Sequence, residues 1–335
     1  MPPPEADNPE TARRLISIIV PCFNEAGNIA DTVESILSAL RPSEPAFEIL
    51  VVNDGSADTT SDVIHRIAEQ EASVRPIDLM RNFGQTVAYQ TGLDLARGTH
   101  VILFSGDLEI PGNQIPEVIK ALDAGSDFVN TTRRDRWGGS HALKSQLANR
   151  ILNRISGLDI SDRGSGLKGM CHEVARSLRL YGEWHRFLPD LASIQTQRIT
   201  ELEVPFEERK AGVSSYKGRL KSITVFLDLV TVAFTLLSKR KPYSLLPGRL
   251  FGFTGLLVGA AGFLISAWLV LLKLFFGEEL SERPLFLVSI LTTILGCVMV
   301  MVGALGELVM QIAARLERAD TIRVRETVAE GKHTP

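Results

Sequence analysis

An α/β domain built on a doubly wound, mostly parallel sheet, followed by a C-terminal transmembrane helical hairpin, is the fold class that these 335 residues predict. Three observations predict it. Short apolar runs alternate with helix-length amphipathic stretches between residues 16 and 131, the pattern of a parallel sheet covered by helices on both faces. The apolar runs end in PCFNE, NDGS, MRNFG and SGDLE, polar turns where an open α/β sheet places its ligands. Near the C-terminus, Leu250 to Phe276 and Leu285 to Met310 are almost wholly apolar, each longer than the roughly 20 residues that a helix needs to cross hydrocarbon.

Residues 1–14 come first, beginning MPPPEADNPETA; they are Pro-rich and acidic without an apolar core, which predicts a disordered tail and not a signal peptide. A domain over 15–218 follows. Its expected elements are a strand at Ile16–Val20, a helix at Asn28–Leu40, a strand at Phe47–Val52 and a helix at Thr59–Glu71 behind a Ser/Thr/Asp cluster able to cap it. Then come a strand at Arg75–Met80, a helix at Gln85–Ala96, a strand at His100–Phe104, a helix at Ile115–Ala124 and a strand at Asp127–Thr131.

Residues 219–241 contain KSITVFLDLVTVAFTLLSKRK, in which Thr224, Asp228, Thr231, Thr235 and Ser238 recur at steps of four and three. That spacing draws a narrow polar stripe on an apolar helix, suited to lying in a membrane interface; a third full span is the alternative. The two spans cover 250–276 and 285–313, with a tail over 314–335. Lys239, Arg240, Lys241 and Arg249 precede the first span and Arg315, Arg318, Arg323 and Arg325 follow the second, whereas the loop between carries Glu278, Glu279 and Glu282 against Arg283. Positive charge at both outer flanks places them, and the N-terminal domain, in the cytoplasm. Gly252, Gly255, Gly259 and Gly262 supply small residues for close helix packing, and Lys273 and Glu307 sit near span ends, where long polar side chains snorkel.

A net charge of -3 points to no nucleic-acid partner, and Cys22, Cys171 and Cys297 lack the spacing of a zinc site or a disulfide framework. Neither G-x-G-x-x-G nor G-x-x-x-x-G-K-[ST] follows a strand, so neither a dinucleotide fold nor a P-loop is supported. Acids collect at the strand ends instead: Glu25, Asp54, Asp107 and Glu109. Carboxylates gathered around a phosphate-bearing ligand repel it unless a divalent cation intervenes, and oxygen ligands suit Mg2+ or Mn2+.

PCFNEAGNI at 21–29, ILVVNDGSADTT at 49–60, RNFGQTVAYQTGLDLARG at 81–98, SGDLEIP at 105–111, LYGEWHRFLP at 180–189 and RKAGVSSY at 209–216 resemble the family 2 glycosyltransferases with a GT-A fold. The resemblance is specifically to the polyprenyl-phosphate sugar transferases related to dolichol-phosphate mannose synthase, and it continues through the two C-terminal spans. It implies inverting transfer of a sugar from a nucleotide-diphosphate donor, such as a UDP-sugar, to undecaprenyl phosphate at the cytoplasmic face of a bacterial inner membrane. It also implies a homotetramer.

Carried over residue by residue, the resemblance makes Pro21, Phe23, Glu25, Val52, Asp54, Ser105 and Gly106 the nucleotide pocket, with Asp54 accepting hydrogen bonds from base or ribose. The family's D-x-D-x-Q loop falls on Ser105, Asp107 and Glu109, which keeps Asp107 and Glu109 as metal ligands and replaces the first Asp by a hydroxyl. Arg133 and Arg209 match arginines suited to a diphosphate or lipid phosphate. Ser165 and Lys168, with Asp162, match the acceptor-side loop, and Ser215 stands where the family carries a Lys, which shifts that duty to Lys210 or Lys217. Asp107 and Arg209 are the residues expected to act on the leaving group. A lipid phosphate is already ionised at neutral pH, so no strong general base is expected. Arg133, Arg134, Arg136, Lys144 and Arg150 lean toward anionic headgroups or form a solvated face. Against the enzyme stands a non-catalytic membrane relative that binds a nucleotide sugar or partner protein, while a processive polysaccharide synthase is disfavoured by only two clear spans and no Q-x-x-R-W.

Overall fold

β1 (Ile16–Cys22) is buried along its whole length, and its parallel neighbours β2 (Phe47–Asn53) and β4 (His100–Phe104) lie along its two edges. The computed structural model describes residues 14–44, 46–106, 109–133, 149–150, 152–205, 229–236, 247–276 and 284–317. β3 (Val74–Asp78) extends the sheet beyond β2, and β6 (Leu167–Cys171), β5 (Phe128–Arg133) and β7 (Ile199–Val204) extend it beyond β4, giving the order β3-β2-β1-β4-β6-β5-β7. Six strands run parallel and β6 alone runs against both neighbours. The doubly wound, mostly parallel sheet expected from the sequence is therefore present.

β6 and β7 were not anticipated. β6 inserts between β4 and β5 and places Lys168 in register with Leu103 on one side and Asn130 on the other. Lys168 and Gly169 inside the strand LKGMC break the apolar signature, and the half-buried β7, ITELEV, carries two glutamates.

Side chains alternate across the sheet as the pleat requires. Ile16, Ile18, Val20 and Cys22 face one core with α1 (Ile29–Leu40), α2 (Thr60–Gln70) and α4 (Ile115–Asp123). Ile19 faces the other with α3 (Gln85–Leu95), α5 (His172–Ser177) and α6 (Leu188–Ala192). Helix α1 shows the logic: Ile29, Val33, Ile36, Leu37 and Leu40 lie along one stripe, and all are buried. Gly92 lets α3 approach β1, since a Cβ there would meet Ile19 at 2.3 Å.

The chain divides into two compact units, Met1–Leu236 and Leu237–Pro335. Of the expected interface helix over 219–241, the described residues 229–236 are helical and belong to the first unit. Val232 and Leu236 are buried with Leu152 and Phe187, while Val230 and Phe234, one turn apart, are exposed.

Among the described residues the second unit is a pair of helices, α7 (Pro247–Phe276) and α8 (Pro284–Glu317), whose apolar segments Leu250–Phe276 and Pro284–Val309 are each long enough to cross a bilayer. They approach closely through glycine. A Cβ on Gly296 would lie 2.3 Å from the backbone nitrogen of Gly259, and one on Gly255 would lie 2.8 Å from the carbonyl oxygen of Gly296. Ser266 and Ser289 hydrogen-bond across the pair at 2.8 Å. The Glu307 carboxylate lies against Gly248 of α7, where a Cβ would lie 2.8 Å from Oε2. Outward-facing side chains such as Leu256, Phe263, Trp268, Leu287 and Leu305 are exposed.

The expected tail before residue 14, Asp107, Arg209, Ser215, Arg134, Arg136, Lys144, Lys210, Lys217 and the charged residues flanking the hairpin lie outside the described residues or side chains.

Candidate active site

The carboxyl ends of β1 and β2 are stitched together by side chains from the loops that follow them. Asn24 sits at φ 54°, a left-handed conformation that Asn tolerates better than most residues. Its Oδ1 accepts the Ala57 N–H at 2.9 Å, and its own N–H donates to Ser56 Oγ at 2.9 Å. The Glu25 N–H donates to Thr60 Oγ1 at 2.9 Å, while Glu25 Oε2 accepts from Asn28 Nδ2 at 2.7 Å. Pro21 and Val52 are buried register partners beneath these loops, and Phe23 is half-buried beside them.

Asp54 is 3% exposed and turns both carboxylate oxygens toward the next loop: Oδ1 accepts the Phe83 N–H at 2.7 Å and Oδ2 the Gly84 N–H at 2.8 Å. The residue expected to receive base or ribose thus also pins the MRNFG loop. Gly55 makes that closeness possible, because at φ 64° a Cβ would fall 2.3 Å from the Arg81 carbonyl carbon. The Arg81 guanidinium lies 4.1 Å from the Phe83 ring centre, a cation–π contact on the exposed side of the loop.

At the end of β3, Asp78 accepts from Asn53 Nδ2 at 2.7 Å and Ser61 Oγ at 2.8 Å and pairs with His65 Nε2 at 2.6 Å. Burial pushes its carboxyl up, but these three partners outweigh it and hold it below the usual aspartate value. The acids at these strand ends act together on Cys22. Its thiol is pushed up to about 12, first by burial and then by the charges of Glu25, Asp78, Asp58 and Asp54. Burial is the larger cause, and the carboxylates near the ends of β1, β2 and β3 add to it.

The loop after β4 joins this edge to the second half of the sheet. Thr32 Oγ1 of α1 donates to the Gly106 carbonyl at 3.1 Å, and the Ser105 N–H donates to the Gly166 carbonyl at 2.9 Å. Beyond it, Arg133 is 3% exposed. Its Nε donates to Asp162 Oδ2 at 2.7 Å, its Nη2 to Asp162 Oδ1 at 3.2 Å and its Nη1 to Glu109 Oε2 at 2.8 Å. The arginine expected to face a phosphate is engaged with the carboxylate expected to face a metal.

Ser165 and Lys168 are buried. Ser165 Oγ shares a hydrogen bond with Thr131 Oγ1, and Lys168 Nζ donates to the Ser165 carbonyl. Burial pulls the Lys168 ammonium down to about 8, with Arg133 pulling the same way and Asp162 opposing. Next to Asp162, Arg163 forms a buried two-pronged pair with Asp190 of α6, at 2.7 and 2.8 Å, and also donates to Asn153 Oδ1 at 2.7 Å.

The structure therefore brings Pro21, Phe23, Glu25, Val52, Asp54, Ser105 and Gly106 to one edge, and links them through the Ser105–Gly166 contact to Glu109, Arg133, Asp162, Ser165 and Lys168. Asn24, Asp78, Arg163 and Asp190 were not singled out from sequence, although Asn24 after a strand and Asp58 two before Thr60 are recognisable turn chemistry. Among the described residues, no three His, Cys, Asp or Glu side chains gather as a metal cluster.

Residues 17–179 match the model of glycosyl transferase family 2. Over 317 residues the chain is 32% identical to dodecaprenyl-phosphate galacturonate synthase of Rhizobium johnstonii, covering 93% of this chain and 92% of that protein. It is 31% identical over 322 residues to undecaprenyl-phosphate 4-deoxy-4-formamido-L-arabinose transferase of Serratia proteamaculans, covering 95% of each. Among solved structures, glucosyl-3-phosphoglycerate synthase from Mycobacterium tuberculosis, crystallised with Mn2+, UDP and phosphoglyceric acid, has a TM-score of 0.50 at 18% identity, over 69% of this chain and 79% of that one, a likeness of fold. With the sheet order, the acidic strand ends and a relative matched nearly end to end, the chain belongs to glycosyl transferase family 2.

Proposed function

We propose that this enzyme moves a sugar from a nucleoside-diphosphate donor, a UDP-sugar, to a polyprenyl phosphate such as undecaprenyl phosphate, at the cytoplasmic face of a bacterial inner membrane. One observation carries the reading: the similarity to two transferases named for polyprenyl-phosphate substrates runs through both the sheet unit and the helical pair. The domain over 15–218 holds the donor. The two apolar helices span the bilayer and keep the domain beside its lipid acceptor.

The oxygen-only donor set at the strand ends fits Mg2+ or Mn2+. Asp107 and Glu109 would hold the ion, which when bound neutralises charge on the diphosphate. The residues of the chain do the rest. The loops after β1 and β2, tied through Asn24 and Glu25, fix the donor cleft, and Asp54 sets the MRNFG loop along its side. A phosphate oxygen of the acceptor attacks C1 of the sugar, and the C1–O bond to the diphosphate breaks with its electron pair. The nucleoside diphosphate departs and the anomeric configuration inverts. The nucleophile is already an anion, so alignment matters more than proton removal. Arg209 assists at the departing phosphate.

The test is transfer itself. Membranes carrying the chain are incubated with a panel of labelled UDP-sugars and undecaprenyl phosphate, with and without Mn2+. Label is expected in the butanol-soluble lipid with one donor, dependent on Mn2+. Label that stays wholly aqueous across the panel would sink the reading.

A further inference from the structure

Arg133 ends β5 at 3% exposure, and a guanidinium buried that deeply requires matched acceptors. Asp162, whose side chain is 6% exposed, takes two of its N–H groups, and Glu109, whose side chain is 23% exposed, takes another through Oε2. The more buried carboxylate carries the two-pronged contact, and the more exposed one, on the loop after β4, carries the single contact. Asp162 is itself fixed: its Oδ1 accepts the Gly164 N–H at 2.9 Å and its carbonyl accepts from Asn130 Nδ2 at 2.9 Å. A rigid anchor, a planar fork and a partly exposed carboxylate thus stand in series. That is how an outer partner orients a ligating carboxylate.

We infer that Arg133 is a positioning residue: it holds the Glu109 carboxylate at the diphosphate end of the cleft and locks it through Asp162 to the 161–165 loop, instead of contacting a substrate phosphate itself. The inference rests on the proposed function in taking Glu109 toward the metal. It assigns Arg133 a role opposite to the one its motif implies. Three of the five N–H groups of Arg133 are committed to Asp162 and Glu109, which turns the fork toward these two carboxylates.

The experiment measures Mn2+ binding by the full-length protein in detergent with saturating UDP, reading free Mn2+ by electron paramagnetic resonance, for Arg133→Gln, Glu109→Gln, the double variant and Arg133→Lys. Arg133→Gln is expected to weaken Mn2+ binding about tenfold or more. The double variant should be no weaker than Glu109→Gln alone, and Arg133→Lys, which lacks the fork, should fall between Arg133→Gln and the wild type. The KM for undecaprenyl phosphate should stay within about twofold of the wild-type value. Wild-type Mn2+ affinity in Arg133→Gln, losses that multiply in the double variant, or a raised acceptor KM with unchanged Mn2+ binding would each overturn the inference. Should Arg133→Gln lose its melting transition, Arg133→Lys carries the same comparison. Mn2+ binding needs no turnover, so a wild type that binds Mn2+ with UDP yet moves no sugar overturns the functional reading and leaves this one standing.

Discussion

Gly166 stands directly against Ser105: a Cβ on Gly166 would lie 2.5 Å from the Cβ of Ser105, and the Ser105 N–H donates to the Gly166 carbonyl at 2.9 Å. The loop after β4 and the start of β6 are therefore in contact at Ser105, where a hydroxyl replaces the first Asp of the motif that the chain resembles. Gly166→Ala should cost about 1–3 kcal/mol through overpacking and lower the melting temperature. Ser105→Gly in the same chain removes the opposing Cβ and should recover most of that loss. Equal melting temperatures for Gly166→Ala and the double variant would show that the clash is relieved elsewhere.

Asp54 is the pin of the MRNFG loop. An Asn there keeps one acceptor oxygen but turns an NH2 group toward a backbone N–H, so one of the two bonds from Phe83 and Gly84 is lost and two donors oppose each other. Asp54→Asn should cost about 1–3 kcal/mol in a thermal melt and weaken UDP binding by loosening the loop. If Asp54 served the nucleotide alone, UDP affinity would fall with no change in melting.

The first half of the sheet was legible because its strands are runs of β-branched and aliphatic residues cut by Asn, Asp and Gly turns; β1, β2 and β4 were placed within two residues of where they lie. β6 was hidden because Lys168 and Gly169 occupy its centre, and an antiparallel strand that returns after the last predicted element leaves no local trace of its partner. The site divides in the same way. Glu25, Asp54 and Ser105 could be placed at strand ends from sequence alone, since the strands themselves were readable. That Asp54 is held by Phe83 and Gly84, or that Arg133 is held by Asp162 29 positions later, depends on backbone groups and side chains brought together only by the finished fold. Sequence spacing carries no term for such contacts, so it predicted acids and arginines open to ligands where the structure shows them already engaged with one another.

The five glycines of α7 are not equivalent. Gly255 and Gly262 each face a backbone or side-chain atom of α8 at under 3.0 Å, whereas a Cβ on Gly252 meets nothing within 4 Å. On α8, Gly296 is the tightest point: a Cβ added there would lie 2.3 Å from Gly259 N. Gly296→Val should force the helices apart, lower the melting temperature in detergent and retard the hairpin in a gel-mobility assay, while Gly252→Ala should leave both unchanged. A Gly252→Ala hairpin as disrupted as Gly296→Val would mean that helix propensity and lipid contact, not close approach, govern the pair.

Lys168 makes stability depend on pH in a direction unlike that of a surface lysine. Its ammonium is buried in the fold, and burial is the first cause of its lowering to about 8 from the ordinary lysine value of 10.5. Below pH 8 both the folded and unfolded chains carry the charge, and the cost of burying it is present in full. Between about 8 and 10.5 the unfolded chain binds the proton that the folded chain has given up, so stability rises with pH in that window, and above it the cost is gone. The shift corresponds to roughly 3 kcal/mol. Lys168→Met removes the charge and keeps the length, so the variant's advantage in melting temperature over the wild type should be largest at pH 7 and shrink steadily from pH 8 to 10. The Cys22 thiol, raised to about 12, acts in the opposite sense above pH 9, but it is common to both proteins and cancels in the difference. A difference that stays constant from pH 7 to 10 would place the Lys168 ammonium in contact with solvent or a permanent counter-charge, and would move the residue from the buried floor of the site to its open face.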